Sequence, residues 1–249
     1  MGDPIDPCTV GIVGAGAFGQ FMAQELAPHV DILLADPRAD LPDIATRLGV
    51  RSGGLAEAAA AGIVVLAVPV QAMGEAAEAI APHLPPGALV LDVGSVKVKP
   101  ARLLSAALPA CADIVCTHPL FGPQSARAGL AGLKIAVCPI RGDRTPDVVA
   151  FCRDILGLAV IETTAEAHDR ELAYVQGVTH LIGKTLLTMD LGPFEQTTVS
   201  YDLLREAVGY IAEDSPALFQ AIELENPFAP EARKAFFDAV RRVERQLAD

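Results

Sequence analysis

His118 stands in the segment of this sequence whose residue types are best suited to acid–base chemistry. The segment reads Cys-Thr-His-Pro-Leu-Phe-Gly-Pro at residues 116–123 and follows a short apolar run. A neutral imidazole accepts a proton near pH 7, as is needed when a hydroxyl-bearing carbon loses hydride. A lone histidine is more often structural, but its stiff proline- and glycine-rich loop makes His118 a better candidate for a catalytic residue than His29 or His83. We therefore predict that His118 is a general base.

A glycine-rich turn near the start of the chain is a candidate nucleotide site. Residues 10–13 form an apolar run that leads into Gly14-Ala15-Gly16-Ala17-Phe18-Gly19, and a helical pattern follows at once. Such glycines permit a tight turn and the close approach of a pyrophosphate to a helix N-terminus. A glycine turn in an ordinary βα unit is the alternative. The residues assigned to dinucleotide binding are Gly14, Gly16, Ala17, Phe18 and Gly19.

The next apolar run ends in Asp36, 22 residues after Gly14. A carboxylate at this position accepts both ribose hydroxyls and repels a 2′-phosphate, so the sequence favours NAD over NADP. The guanidinium of Arg38 lies close by and would soften that preference. Asp36 can instead cap the loop, but its position favours the ribose contact. No metal ligands are assigned.

Two further segments follow apolar runs and are expected at the same edge of a sheet. Val68 and Pro69 end one run, and Asp-Val-Gly-Ser-Val-Lys ends another at residues 92–97. Ligands bind at the carboxyl edge of doubly wound sheets. Val68 and Pro69 are therefore expected to line the cofactor, and Ser95 and Lys97 to lie beside its nicotinamide. For residues 92–97 an ordinary turn is an equally good interpretation on this evidence alone.

The chain pattern predicts the elements that position these residues. Short apolar runs bounded by turn residues alternate with Ala- and Leu-rich segments of helical spacing as far as residue 161. Such runs are typical of strands buried on both faces of a sheet. The alternation predicts an α/β fold with a doubly wound parallel sheet of the Rossmann type over residues 1–164. Residues 147–156 are predicted as the last helix of this domain.

Residues 165–249 are predicted to form a second domain that is all-helical. Helical periodicity continues almost throughout, with breaks at Gly192-Pro193, Asp214-Ser215-Pro216 and Asn226-Pro227. The stretch at residues 175–187 is more apolar than one small domain readily buries. This favours a homodimer that forms through the helical domain, with a packed monomer as the alternative.

Charge and composition limit the partners and the compartment. The net charge of −12, without a basic run, argues against nucleic acid and anionic membranes. The longest apolar run, residues 62–70, is about half of a bilayer crossing. Five cysteines without a CxxC pair fit reduced thiols, and residues 1–8 lack the pattern of a signal peptide. We therefore expect a cytoplasmic protein with a small-molecule substrate and no nucleic-acid or membrane partner.

Several motifs together resemble the prephenate and arogenate dehydrogenase family of tyrosine biosynthesis, over nearly the whole chain. They are Gly-Ala-Phe-Gly-Gln-Phe at residues 16–21, the segments at 92–97 and 117–123, and Val-Thr-His-Leu-Ile-Gly at 178–183. Asp214-Ser215, followed by Leu218-Phe219, is more similar to the plant-like arogenate branch than to the bacterial enzymes fused to chorismate mutase.

The resemblance implies NAD(P)-dependent oxidative decarboxylation of a cyclohexadienol. It also implies that His118 accepts or polarises the proton of the ring hydroxyl, and that Ser95 orients this histidine near the nicotinamide. Hydride passes to the cofactor and carbon dioxide leaves the opposite end of the ring, which becomes aromatic. The main task of such an enzyme is to hold alcohol, base and nicotinamide in reacting geometry.

The carboxylates of such a substrate need a cation or several directed donors. By resemblance the candidate is His180, with Lys184 four residues later on the same helix face, and Arg205 is a further candidate. A buried, hydrogen-bonded core histidine is the alternative for His180. Gln124 is assigned to the substrate site but stands where many relatives have a glutamate, so an ionic contact or pH gating there is expected to differ.

Two more positions depart from the family pattern, and a third position, Asp214, bears on the choice of substrate. Gly183 replaces a second histidine of other branches, and Tyr210 replaces a carboxylate-binding arginine, so the substrate clamp is expected to be built differently. Arogenate carries an ammonium where prephenate has a ketone, and a nearby carboxylate would favour it. Asp214 is that candidate, so arogenate is favoured over prephenate. Residues 214–216 are also an ordinary helix end and N-cap.

Two other functions fit parts of the sequence. An imine reductase or a hydroxyacid dehydrogenase has a comparable two-domain plan but does not require His118 in its proline-rich loop. A binding module that senses NAD without catalysis is the second alternative, since a fold does not specify a reaction. The grouping of Ser95, Lys97 and His118 disfavours it, because a sensor needs no proton acceptor beside the nicotinamide.

Overall fold

The computed structural model describes residues 9–189 and 191–248. The chain divides into two compact units, Met1–Ala165 and Glu166–Asp249. The expectations made for residues 1–8, Cys8 included, lie outside the described residues. None of the helices in the described ranges has the length and apolar character that a membrane crossing requires.

An eight-stranded sheet forms the centre of the first unit, in the order β3-β2-β1-β4-β5-β6-β7-β8. Neighbouring strands are parallel except for β6 and β7. The strands are β1 (Thr9–Val13), β2 (Asp31–Ala35), β3 (Arg51–Ser52), β4 (Ile63–Leu66), β5 (Leu89–Asp92), β6 (Asp113–Pro119), β7 (Lys134–Arg141) and β8 (Ala159–Glu162). This is the doubly wound arrangement that the sequence predicts.

Both faces of this sheet are buried. Alternate residues of a strand enter different apolar clusters, with Val13 and Leu33 in one and Ile12 and Leu34 in the other. Because side chains of a strand alternate between the two faces, each face must be covered. The covering helices are α1 (Ala17–Leu26), α2 (Leu41–Leu48), α3 (Leu55–Ala59), α4 (Met73–Ile80), α5 (Val98–Ala107) and α6 (Thr145–Ala150), which continues as a π-helical turn, Phe151–Ile155.

The pair of β6 and β7 is antiparallel, which the sequence pattern did not predict. His118 lies opposite Ala136 and Cys116 opposite Cys138. A parallel neighbour needs a long crossover connection, usually a helix. The connection at residues 120–133 contains turns and no helix, so the chain returns beside β6 in the opposite direction. This pairing includes His118 in a regular strand, which fixes its backbone.

Helices alone form the second unit in its described part. They are α7 (Ala165–Leu172), a π-helical turn (Ala173–Val178), α8 (Thr179–Thr188), α9 (Val199–Ala212), α10 (Pro216–Gln220), a second π-helical turn (Ala221–Glu225) and α11 (Ala229–Ala248). Ser215 caps α10, because its hydroxyl accepts a hydrogen bond from Leu218 N at 3.2 Å. The helices end near the breaks that the sequence predicts.

Candidate active site

The glycine turn joins β1 to α1 and fits a dinucleotide pyrophosphate. Gly14 has φ +109°, and a Cβ there would lie 2.5 Å from the Ala67 carbonyl oxygen. A Cβ at Gly19 would overlap the Gly14 carbonyl. A Cβ at Gly16, in contrast, would meet nothing within 4 Å. The outer glycines are therefore required by the fold, whereas Gly16 leaves open space at the N-terminus of α1, where a phosphate is favoured.

Asp36 and Arg38 flank this turn. Asp36 Oδ2 accepts a hydrogen bond from Ala15 N at 2.7 Å, and its Oδ1 accepts one from Arg38 N at 3.0 Å. The carboxylate thus caps the loop, yet it keeps further lone pairs for ribose hydroxyls. The Arg38 guanidinium donates to the Ala15 carbonyl at 2.9 Å and binds both oxygens of Asp40. Hydrogen bonding by Arg38 lowers the pKa of Asp40 from its ordinary value.

The remaining predicted cofactor contacts surround the turn. Ala17, the first residue of α1, is exposed, and the half-buried Phe18 ring lies 5.7 Å from that of Phe21. Val68 Cγ1 would lie 3.2 Å from a Cβ at Gly14, so its side chain is beside the turn. Pro69 is exposed after it. These residues surround the open surface next to Gly16.

Lys97 and Asp92 form a fully buried ion pair, with Nζ 2.5 Å from Oδ1. The same Nζ lies 2.5 Å from the Thr117 carbonyl oxygen, and Thr117 Oγ1 donates to the Asp92 carbonyl at 2.7 Å. The expectation that the ammonium lies beside the cofactor does not fit this geometry, because Lys97 is 0% exposed and its charge is compensated by Asp92. Removing one partner of such a pair typically costs about 3–5 kcal/mol of stability.

His118 lies near the carboxyl end of β6, and Ser95 follows the carboxyl end of the neighbouring strand β5. β5 and β6 are parallel with Asp92 opposite Cys116, so the residues that follow lie at one edge. His118 and Ser95 are each only 6% exposed. Ser95 Oγ is buried and has no hydrogen-bond partner among the described residues. Buried hydroxyls are normally hydrogen-bonded, so an unsatisfied one at this edge indicates a place for a ligand atom.

Cys116 is the other side chain with acid–base potential near His118. Burial raises the pKa of its thiol well above the ordinary value, and the negative charge of Asp92 adds to the shift. A thiol in such surroundings stays protonated and is a poor nucleophile. Cys116 is therefore a core residue.

His180 and Asp214 are hydrogen-bonded to each other in the second unit. His180 Nε2 lies 2.9 Å from Asp214 Oδ2, and its Nδ1 lies 2.8 Å from the Gln176 carbonyl oxygen. A carbonyl only accepts, so Nδ1 must donate. The two contacts together engage both ring nitrogens of His180 and one carboxylate oxygen of Asp214. They tie α8 to the segment between α9 and α10.

The other predicted substrate residues have different surroundings. Lys184 Nζ lies 6.0 Å from the centroid of the Phe219 ring, and Arg205 is exposed on α9. A Cβ at Gly183 would lie 2.5 Å from Ile211 Cδ1, which explains why this position has no side chain here. Gln124 is half-buried in the connection between β6 and β7, and Tyr210 is exposed.

Comparison with known proteins decides the family. A sequence model of the nucleotide-binding domain of prephenate dehydrogenase matches residues 21–152, more than half of the chain. The chain belongs to the prephenate dehydrogenase family. This range includes Asp36, Ser95 and His118, and Gly14 to Gly19 precede it.

Several relatives extend this likeness beyond the prephenate dehydrogenase nucleotide-binding domain. Chloroplastic arogenate dehydrogenase 1 of Arabidopsis thaliana is 30% identical over an alignment of 249 positions, which covers 96% of this chain but only 39% of that protein. The chain therefore spans less than half the length of this relative. The 4-amino-4-deoxyprephenate dehydrogenase of Streptomyces pristinaespiralis is 33% identical over 233 residues, covering 90% of this chain and 70% of that protein.

A solved prephenate dehydrogenase structure has the same fold. The enzyme from A. aeolicus, in complex with hydroxyphenyl propionate and NAD+, matches with a TM-score of 0.78 at 22% identity, over 98% of this chain and 92% of that one. The Rossmann sheet followed by a helical part is therefore shared.

Sequence reasoning missed three features of the candidate site. It did not pair Asp92 with Lys97, although an aspartate that ends an apolar strand is a signal for a buried partner. It predicted no contact for Thr117. It also missed the Phe121 ring, whose centroid lies 6.4 Å from that of Phe21 and which joins the His118 loop to α1. That last contact links residues 100 positions apart and leaves no local signal.

Proposed function

We propose that this chain catalyses the NAD-dependent oxidative decarboxylation of a cyclohexadienol, arogenate or prephenate. One observation carries the proposal. His118 near the end of β6, and Ser95 with its unsatisfied hydroxyl just after β5, lie at the carboxyl edge that also carries the glycine turn. In a member of the prephenate dehydrogenase family, this is where a base and a nicotinamide must meet.

The proposed chemistry assigns the proton to His118. Bound NAD+ supplies the acceptor for the hydride that leaves the hydroxyl-bearing carbon. The His118 imidazole takes the proton of the ring hydroxyl as the carbon–oxygen bond becomes a carbonyl. Cleavage of the bond to the ring carboxylate then releases carbon dioxide, and its electron pair completes the aromatic ring. The proton returns from His118 to the oxygen, which becomes a phenol. Ser95, whose hydroxyl makes no hydrogen bond to another described residue, is proposed to orient the imidazole when substrate is bound.

Substrate recognition is proposed for His180, Lys184 and Gln124. Gln176 and Asp214 already occupy both ring nitrogens of His180, so His180 is proposed to act by holding the Asp214 carboxylate in place. Lys184 lies one helical turn beyond it and is proposed to supply the positive charge for a substrate carboxylate. Gln124 provides an uncharged amide in the His118 loop. Because Gln124 carries no charge, it offers hydrogen bonds but no ionic contact.

Arogenate is the favoured substrate because of Asp214. One carboxylate oxygen accepts from His180 Nε2, and the carboxylate keeps further lone pairs for an ammonium. Arogenate has that ammonium and prephenate has a ketone in its place. A charge-assisted hydrogen bond of this kind contributes about 1.5–3 kcal/mol, which is enough to set a preference.

Asp214→Asn should therefore lower kcat/KM for arogenate by about 10- to 100-fold. Turnover of prephenate should stay within about threefold, because asparagine still accepts a hydrogen bond from His180. Steady-state rates with both substrates measure the ratio. Asp202→Asn, which removes one exposed negative charge from α9, is the matched control. A wild-type enzyme that strongly prefers prephenate, with a preference unchanged in Asp214→Asn, would contradict this assignment.

NAD is the proposed cofactor rather than NADP. Asp36 places a carboxylate beside the glycine turn, where a 2′-phosphate would be repelled. Arg38 donates through Nε and Nη2 to the two Asp40 oxygens and through Nη1 to the Ala15 carbonyl, so its charge is already compensated. A guanidinium that is paired in this way is poorly placed to bind the 2′-phosphate of NADP.

The decisive experiment follows reduced nicotinamide by fluorescence after substrate is added. The chain contains no tryptophan, so its own emission interferes little. Arogenate, prephenate and 4-amino-4-deoxyprephenate are each tested with NAD+ and with NADP+. Turnover of arogenate with NAD+ is the expected result. Binding of NAD+ without turnover of any of the three substrates would favour a sensing module instead.

A homodimer in the cytoplasm completes the proposal. The second unit exposes large apolar side chains on α9 and α11, including Val199, Leu203 and Leu247, which a second copy would cover. Cys111, Cys116, Cys138 and Cys152 form no disulfide in the described part of the chain, which suits a reducing compartment. Light scattering should give twice the 26.0 kDa chain mass, and a monomer at micromolar concentration would contradict the dimer.

A further inference from the structure

We infer that Asp92, Lys97 and Thr117 form a clamp that positions His118 for catalysis, with Lys97 as its central positioning residue. The inference rests on the proposed role of His118 as the base. It gives the Asp-Val-Gly-Ser-Val-Lys segment a second task besides supplying Ser95. The cofactor contact that the sequence predicts for Lys97 does not fit its complete burial, and neither Asp92 nor Thr117 is assigned a contact with substrate or cofactor.

The clamp connects two adjacent strand ends by three contacts. Lys97 Nζ bridges Asp92 Oδ1 and the Thr117 carbonyl oxygen, at 2.5 Å each. Thr117 Oγ1 returns a hydrogen bond to the Asp92 carbonyl at 2.7 Å. Asp92 Oδ1 also accepts from Gly94 N at 2.9 Å, which fixes the turn that leads to Ser95. The end of β5 and the end of β6 are therefore tied together directly beside Ser95 and His118.

The Thr117 carbonyl is the part of the clamp that acts on His118. This carbonyl and the His118 nitrogen belong to one planar peptide unit. An ammonium that holds the oxygen therefore fixes the orientation of the plane from which the His118 backbone starts. Pairing with β7 fixes the strand on its other side, through Ala136. Rotation of the imidazole about its own side-chain bonds is then the main freedom left.

Complete burial is the reason to assign the clamp a task beyond packing. Lys97 and Asp92 are both 0% exposed, and neither charge touches solvent. Buried ion pairs contribute little net stability compared with apolar residues of the same volume. We therefore assign this pair the task of holding a specific geometry. The residue that they hold lies next to the proposed base, where a displacement of about 1 Å lowers a rate about 100-fold.

Thr117→Val is the first test variant. Valine keeps the shape and the β-branched side chain that suits a strand, but it cannot donate to the Asp92 carbonyl. We expect kcat to fall about 10- to 100-fold, while the Kd for NAD+ and the KM for substrate change less than about threefold. Thr117→Ser keeps the hydroxyl and should restore most of the activity. Ile80→Val, a buried substitution on α4 away from the clamp, controls for a small loss of stability.

The ion pair is tested by the double variant Asp92→Asn with Lys97→Met. It removes both charges at once and leaves no uncompensated carboxylate. Asparagine still accepts from Gly94 N, but the Thr117 carbonyl loses its cation. We expect the same fall in kcat with unchanged NAD+ affinity. If this variant does not fold, the Thr117→Val and Thr117→Ser variants alone decide whether the clamp positions His118.

A readout independent of turnover separates this inference from the proposed function. Protein with 13C-labelled histidine gives ring signals for five histidines, and the His118 signal is the one lost in His118→Asn. The clamp predicts that this signal shifts or broadens in Thr117→Val but not in Thr117→Ser or Ile80→Val. An active wild type whose Thr117→Val variant keeps its kcat and its His118 signal would overturn the clamp. A wild type without turnover overturns the proposed function, and the ring signals still decide the clamp.

Discussion

Replacing His118 with asparagine is expected to lower kcat about 10²- to 10⁴-fold, the range that a positioned general base contributes. Asparagine keeps a polar side chain of similar reach, but its amide cannot accept the hydroxyl proton. The Kd for NAD+ should stay within about twofold, because the glycine turn and Asp36 are unchanged. Initial rates of reduced nicotinamide formation measure kcat, and calorimetric titration measures Kd.

His83→Asn is the control for this prediction. His83 is exposed in the turn at residues 81–83 and lies outside the proposed machinery, so its replacement should leave kcat unchanged. A His118→Asn enzyme that retains more than about a third of wild-type turnover would show that another group takes the proton. Cys116 would not be that group, since burial raises the pKa of its thiol well above the ordinary value.

The fold was predictable where local pattern and burial agree. The runs that became β1, β2, β4 and β5 are apolar on both faces, and only strands of a covered parallel sheet require that pattern. The direction of β7 was not predictable in this way. Strand direction depends on the connection, and the residues at 120–133 have neither a clear helical pattern nor a short hairpin turn.

The positions of the candidate site residues were easier to predict than their contacts. The sequence places His118 and Ser95 at the ends of strands, and the carboxyl ends of parallel strands meet at one edge of a sheet whichever side chains they carry. Lys97 shows the limit of that reasoning. Its place in the chain suggested an ammonium beside the nicotinamide, but the Lys97 side chain instead contacts the Asp92 carboxylate and the Thr117 carbonyl inside the protein.

Contacts between distant residues were the least predictable part. His180 and Asp214 were each singled out, yet nothing in the sequence joined them across 34 positions. Their pairing changes the argument for both residues. The histidine has both ring nitrogens engaged within the protein, and the aspartate gains an orientation that leaves lone pairs for the substrate. A substitution at either position therefore affects the other, and double variants are needed to separate them.

Substitutions at two glycines of the turn, Gly16 and Gly14, are expected to affect cofactor binding and folding differently. Gly16→Ala is expected to leave the free energy of unfolding within about 0.5 kcal/mol of wild type, since its Cβ would meet nothing within 4 Å and its φ of −67° suits alanine. The Kd for NAD+ should rise about 10- to 100-fold, because the methyl group occupies the space through which a pyrophosphate reaches the backbone amides. Calorimetric titration of NAD+ measures this change.

Gly14→Ala is the contrasting variant, and it should lower the free energy of unfolding by about 1–3 kcal/mol. Its φ of +109° is unfavourable for alanine, and the added Cβ would lie 2.5 Å from the Ala67 carbonyl oxygen. Urea denaturation measures both variants in the absence of NAD+. If Gly16→Ala lost stability as Gly14→Ala does, or bound NAD+ as wild type does, the open space beside Gly16 would not be where the pyrophosphate lies. The comparison needs no substrate, so it tests the dinucleotide site separately from the reaction proposed for His118.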